Sequence, residues 1–209
     1  MTEILIELFS EEIPAGAQRS AAIFLRDQIL ANLEKLNITD LQAQFYFSPR
    51  RLTIAIDGIP KTVKTKATEV RGPKISAPEQ AVNGFVRKMG LADVAQLSKR
   101  KIKNDSYYCY IEPESKLSLL ELLPDLLIES FNKLSSFWPK TMRWGEYQLR
   151  WMRPLHNIAV IFGGDIVKFN YFHLSSNNSI FAHRLLNSAK KKVKNFAEYK
   201  QFLNNNHVV

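Results

Sequence analysis

Ile158-Ala-Val-Ile-Phe162, Gly163-Gly-Asp165 and Ile166-Val-Lys-Phe-Asn-Tyr-Phe172 are the stretch whose reading decides the fold class. Two runs rich in β-branched and aromatic residues flank a turn signal, which predicts a β-hairpin. Just before it, Lys140 to Arg153 holds arginines and tryptophans, and before that Leu117 to Phe137 carries a helical apolar period. Pro124 inside that period predicts a kink or the start of a second helix. Helices interspersed with a local hairpin favour an α+β fold, with a mixed, largely antiparallel sheet, over a doubly wound parallel sheet.

Further from the hairpin the elements are shorter. Ile4 to Phe9 reads as a buried strand, and Pro14 suits the first turn of a helix whose apolar residues Ala17, Ala21, Phe24, Leu25, Ile29, Leu33 and Leu36 share one face. Phe45 to Phe47 and Leu52 to Ile56 read as strands on either side of Ser48-Pro49-Arg50-Arg51, with Leu52, Ile54 and Ile56 on one face. Asp57-Gly58 signals a turn. Lys61 to Pro78 reads as a strand or extended arm, and Glu79 to Met89 as a short helix closed by Gly90. Tyr107 to Ile111 is an aromatic strand. Asn195 to Asn206 is a weak helix around Phe196, Tyr199, Phe202 and Leu203, with no cap legible before Val208-Val209.

The chain has 209 residues, 45% of them hydrophobic and 23% charged, enough for one large domain or two small ones. Eight Gly and nine Pro exclude a collagenous or low-complexity chain. One cysteine, Cys109, excludes an internal disulfide and a cysteine zinc cluster. Glu3, Glu7, Glu11 and Glu12 stand where a signal peptide would carry basic residues, and no apolar run has the length of a membrane span. The expectation is a soluble, cytoplasmic protein without a membrane partner.

The formal net charge is +9, from 29 Lys and Arg against 20 Asp and Glu. It points to an acidic partner. The basic residues fall in clusters beside turns or aromatics: Arg50-Arg51, Lys61 to Lys66, Lys99 to Lys103, Lys140 to Arg153 and Lys190 to Lys194. A membrane-surface helix would instead set them opposite one strong apolar face. A solvated basic face accounts for any single cluster, whereas together they favour a nucleic acid.

Self-contained catalysis has no signature. His156, His173, His183 and His207 lack the spacing of a helical zinc site, and neither phosphate-binding glycine motif is present. Cys109, between Tyr108 and Tyr110, reads as an inert buried thiol. Glu11-Glu12, at a strand–helix junction, suits the helix dipole better than acid–base work. What remains is arginine beside aromatic residues: Arg50 and Arg51 after Pro49, then Arg143-Trp144 and Arg150-Trp151-Met152-Arg153. Guanidinium forks grip phosphates and indole faces stack on unpaired bases. The competing reading makes Trp144 and Trp151 core residues, with the arginines paired to Glu146 or Glu79.

These segments resemble, in order, the motifs of one family. Ile4-Leu-Ile-Glu-Leu-Phe-Ser-Glu-Glu-Ile-Pro14 resembles L-x-E-I-G-T-E-E-L-P, and Phe47-Ser-Pro-Arg-Arg-Leu52 resembles T-P-R-R-L. Arg71-Gly-Pro73 and Ala81-Val-Asn-Gly-Phe-Val-Arg87 follow R-G-P and A-x-x-G-F-x-R. Pro139-Lys-Thr-Met-Arg-Trp-Gly145 with Arg153-Pro-Leu-His156 and Phe162-Gly-Gly164 is the strongest block. The chain is similar to the N-terminal part of the β subunit of bacterial, α2β2-type glycyl-tRNA synthetase. It departs from the pattern at Phe9-Ser10, Asn157, Asn177 to Phe181 and Ala182, which precedes His183-Arg184 where glycine is usual.

The resemblance implies that residues 1–209 are the N-terminal region of a longer subunit, with a possible subdivision into 1–115 and 116–209. It implies a non-catalytic part of a glycine–tRNA ligase, inactive alone, in which ATP and Mg²⁺ are used by the α subunit and this chain holds no cofactor. The implied partners are the α subunit, tRNA-Gly and the remaining β-subunit domains. Arg50, Arg51, Arg71, Arg143, Arg150, Arg153, His183 and Arg184 become candidate contacts to tRNA or within the subunit. Two rivals stay open. One is an interaction scaffold without RNA contact, favoured by buried tryptophans and internally paired arginines. The other is a free-standing basic RNA-binding module, favoured by a well-packed end at Val209.

Overall fold

The computed structural model describes residues 2–64, 68–102, 105–112, 114, 116–183, 186 and 188–208. Arg184, Lys103 and Val209 lie outside them. The chain forms two units by insertion: Met1–Val63 with Ser118–Val209 make the first, and Lys64–Leu117 the second. In chain order the elements are β1 (Thr2–Ser10), α1 (Ala15–Glu34), β2 (Gln42–Ser48), β3 (Arg51–Ile59) and β4 (Thr62–Lys64). Then come β5 (Thr68–Lys74), α2 (Glu79–Lys88), β6 (Ser98–Ile102), β7 (Asp105–Glu112) and β8 (Lys116–Ser118). The rest are α3 (Leu119–Phe137), β9 (Met142–Arg143), β10 (Arg150–Trp151), β11 (Leu155–Phe162) and β12 (Asp165–Ile166), then β13 (Asn170–Tyr171), β14 (Leu174–Ser175), β15 (Ser179–Phe181), β16 (Lys190–Lys192) and α4 (Phe196–Asn205). The fold is α+β, as expected.

The first unit is built on a five-stranded antiparallel sheet of order β12-β11-β1-β3-β2. Alternation along β1 divides its residues between two cores. Ile4, Ile6 and Leu8 line up with Ile56, Ile54 and Leu52 on one side and with Phe162, Val160 and Ile158 on the other. They pack on Ala21, Leu25, Ile29 and Leu33 of α1 and on Leu123, Leu127 and Phe131 of α3. The opposite face carries Leu5, Ala159 and Ile161, covered by Ile180, Tyr199, Phe202 and Leu203. Each fully buried Leu or Ile contributes about 1.5–3 kcal/mol. Glu7 stands in this second face and is itself fully buried.

Four expectations need correction. No second helix starts at Pro124: α3 runs through it as one 19-residue helix anchored by its buried face, and the missing amide removes one bond near its start. The Asp57-Gly58 signal does not end its strand: β3 continues to Ile59, with Gly58 at φ 87° taking up a register shift opposite Thr2 and Ile4. The decisive hairpin is real, with Gly163 at φ 59° and Gly164 at φ 93° forming the two-residue turn between Phe162 and Asp165. Its second arm leaves β11 after Val167, because Tyr171 turns toward α3, packs edge-on to Phe131 and donates to Asn132 Oδ1 at 3.1 Å. Helix α4 does have a cap. His207 adopts φ 59°, its amide bonds Asn204 O at 3.3 Å, and the Val208 amide bonds Leu203 O at 2.9 Å. This is a Schellman closure made without glycine.

The second unit has a three-stranded antiparallel sheet, β5-β7-β6, and helix α2. Its core is small: Val82, Val86 and Leu97, with Phe85, Tyr108 and Tyr110 against them. A Cβ on Gly72 would meet the Phe85 ring at 2.6 Å. Gly72 of one motif stretch and Phe85 of the next are therefore packing partners.

Candidate nucleic-acid interface

The turn between β2 and β3 sends its two arginines to different places. Arg51 is only 5% exposed. Its Nη1 is 3.3 Å from Glu7 Oε2, and its Nη2 donates to the carbonyls of Phe181 and Ala182 at 2.5 and 3.3 Å. The Tyr199 hydroxyl donates to the same Glu7 oxygen at 2.7 Å and shares a 2.8 Å hydrogen bond with Thr53 Oγ1. Burial raises the Glu7 pKa, with Arg51 and the Tyr199 hydrogen bond pulling the other way. Burial also pushes the Tyr199 hydroxyl well above 10, with the Glu7 charge adding to it. Among the described residues Glu7 Oε1 has no hydrogen-bond partner. Sequence reading misses this network, since an isolated Glu in an apolar strand gives no clue to what lies across the sheet.

Arg50 is less buried. It donates from Nε to Ser10 O at 3.0 Å and from Nη2 to Glu11 Oε1 at 3.3 Å. The same Glu11 oxygen lies 3.0 Å from His156 Nε2. Both guanidiniums sit over the Phe9 ring, at 4.6 and 4.7 Å. Arg50, Arg51 and His183 share a cleft of about 450 Å³ with Glu12 and His207. His183 Nδ1 accepts from the Leu186 amide at 3.3 Å. Three of the sequence candidates thus meet at one place.

Arg143 and Arg150 meet at another. They are register partners in the β9–β10 pair, as Met142 and Trp151 are. Side chains of directly opposed residues share a face, so the two guanidiniums emerge together. Arg143, Arg150 and Arg153 are all exposed. Arg143 Nη1 donates to Gln148 Oε1 at 3.3 Å, whereas Arg150 and Arg153 have no side-chain hydrogen bond or ion pair among the described residues. The proposed pairing to Glu146 is not made. Trp151 is buried against Trp138 and Tyr171, while Trp144 is half-buried and donates Nε1 to Trp151 O at 3.3 Å. Ser135 Oγ of α3 holds Arg150 O at 2.6 Å and fixes the hairpin to the core.

A second cleft, of about 210 Å³, opens beside this pair. Tyr147 stacks on His173 with centroids 3.5 Å apart and planes 11° from parallel. Burial, then the neighbouring His156, lowers the His173 pKa. Neither Tyr147 nor His173 carries a sequence signal, because their contact joins separate loops.

Arg71 belongs to the second unit. Its guanidinium lies 3.7 Å from the Tyr107 ring centroid. Beside it Lys74 binds Asp105 at 2.6 Å, the hydrogen bond that raises its pKa, and Arg100 pairs with Glu69. Cys109 is buried. Among the described residues no three His, Cys, Asp or Glu side chains converge as a metal site, and no helix is long and apolar enough to cross a membrane.

The chain is 38% identical to the glycine–tRNA ligase β subunit of Rickettsia felis over 211 residues, 39% to that of Rickettsia typhi over 209 and 38% to that of Rickettsia peacockii over 209. In each case all of this chain is covered, and it spans 31% of the relative's length. The family described as glycyl-tRNA synthetase beta subunit matches residues 4–209. On that match, over nearly every residue, the chain belongs to the glycyl-tRNA synthetase β-subunit family.

Proposed function

We propose that this chain is a tRNA-facing, non-catalytic part of a glycine–tRNA ligase β subunit, acting in the cytoplasm with a catalytic α subunit. In this reading the α subunit activates glycine with ATP and Mg²⁺, and the β chain helps to hold tRNA-Gly. The carrying observation is the opposition of Arg143 and Arg150 across two paired strands, with exposed Arg153 close in sequence. Like charges directly opposed on a sheet repel. A phosphate oxygen between them turns that repulsion into charge-assisted hydrogen bonds. Arg50 and Arg51 have a different role here, bracing the sheet internally, and Arg71 is a further contact on the second unit.

The test is equilibrium binding of the chain to tRNA-Gly over a series of salt concentrations, with an unrelated tRNA as control. If Arg143 and Arg153 each neutralise one phosphate, Arg143→Ala and Arg153→Ala each flatten the slope of log K against log salt by about 0.7–0.9. Unchanged slope and affinity in both variants would remove Arg143 and Arg153 from the site, and with Arg143 the opposed pair. The scaffold reading is supported by the internal partners of Arg51 and Arg50 and by the burial of Trp151. It requires that the chain bind no tRNA even at low salt.

A further inference from the structure

Along the Arg143–Pro154 segment, each exposed arginine immediately precedes a wall of the small cleft. Arg143 precedes Trp144, Arg150 precedes Trp151, and Arg153 precedes Pro154. Tyr147, His156 and His173 are further walls, over a floor that includes Leu149 and Leu155. Tyr147 is 51% exposed, and its ring is held flat by the His173 stack. Burial, which lowers the His173 pKa, favours the uncharged imidazole in this stack. The segment from Lys140 to Arg153 that supplies most of these walls also carries Lys140, Arg143, Arg150 and Arg153, with Glu146 its only acidic residue. An aromatic slot walled by a strongly cationic segment suits a flat, uncharged ring attached to an anionic chain. In a duplex both faces of each base are already stacked, so the fitting ligand is a single-stranded nucleotide.

We infer that the cleft between Trp144, Tyr147 and His173 receives one unpaired nucleobase of an RNA strand, whose flanking phosphates lie on Arg143, Arg150 and Arg153. The inference rests on the tRNA-facing reading above and specifies its ligand as an unpaired segment. His156, held on Glu11 at 3.0 Å, is the polar group available to the edge of the base.

The experiment compares binding of the chain to a short single-stranded RNA and to the same strand with abasic sugars, at one low salt concentration. The variants are Tyr147→Ala, Tyr147→Phe and Arg143→Ala/Arg153→Ala. Base stacking predicts that Tyr147→Ala weakens the base-bearing strand by about fivefold or more and leaves the abasic strand unchanged. Tyr147→Phe retains wild-type binding to both, and the double arginine variant weakens both. If Tyr147→Ala binds both strands as the wild type does while the arginine variant is impaired, the base site is overturned and the electrostatic reading stands. If neither RNA binds, both fall. Because Tyr147 is half-exposed, its truncation leaves the fold intact, which circular dichroism checks directly.

Discussion

Arg51 and Glu7 form a buried ion pair on the α4-facing side of the sheet, one strand step apart diagonally, with Nη1 and Oε2 separated by 3.3 Å. Arg51→Ala leaves the Glu7 carboxylate desolvated and without its countercharge, at a cost of about 3–5 kcal/mol. Arg50→Ala breaks a pair with the partly exposed Glu11 and costs about 1 kcal/mol or less. Urea unfolding of the two variants measures both. Equal losses would mean that the Arg51 network is not what holds this face together.

Glu7 also predicts a pH dependence. Its folded-state pKa is raised above the ordinary 4.5, so the native chain binds this proton more tightly than the unfolded chain does. The resulting stabilisation is complete below pH 4.5 and is lost as pH rises through the raised value. Glu7→Gln removes the titration. The melting temperature of the wild type, taken relative to Glu7→Gln, therefore falls as pH increases from 4.5, and a constant difference would contradict the assignment.

Gly163 and Gly164 share a turn but not a constraint. At Gly163 a Cβ would meet Thr2 Cγ2 at 2.6 Å as well as facing φ 59°, whereas Gly164 has open space. Gly163→Ala should cost more than Gly164→Ala, which bears only the left-handed backbone penalty of about 1–2 kcal/mol. Thermal unfolding of the pair reads the difference.

His207 closes α4 in a conformation that favours glycine. His207→Gly relieves that cost and should stabilise the first unit by about 1 kcal/mol in thermal melts. A loss of stability would show that the imidazole itself contributes in the cleft it shares with Arg50 and His183.

Local order is legible where one physical signal dominates. The period of Ala21, Leu25, Ile29 and Leu33 specifies α1, the paired glycines specify the turn after Phe162, and the alternation of Leu52, Ile54 and Ile56 specifies β3. What stays hidden depends on distant partners. Pro124 reads as a kink or the start of a second helix because its local cost is visible and the core against Leu123, Leu127 and Phe131 is not. The second arm of the hairpin reads too long because the pull of Phe131 and Asn132 on Tyr171 has no local trace. The site divides in the same way. Arginines at turns beside aromatics are visible as a class, but only the sheet distinguishes Arg51, which faces inward to Glu7, from Arg150, which faces outward opposite Arg143.

The position of β1 has a consequence for how the molecule is made. Thr2–Ser10 leaves a ribosome before the other strands of its sheet, yet it is the middle one, lying between β3 and β11. The β1–β3 pairing can form early, while the other edge of β1 stays open until Leu155–Phe162 has been synthesised. During that interval the apolar edge of Ile4, Leu5 and Ile6 is exposed to any strand that reaches it first. Nascent chains stalled before β11 should therefore engage chaperones, and release past Phe162 should end that dependence.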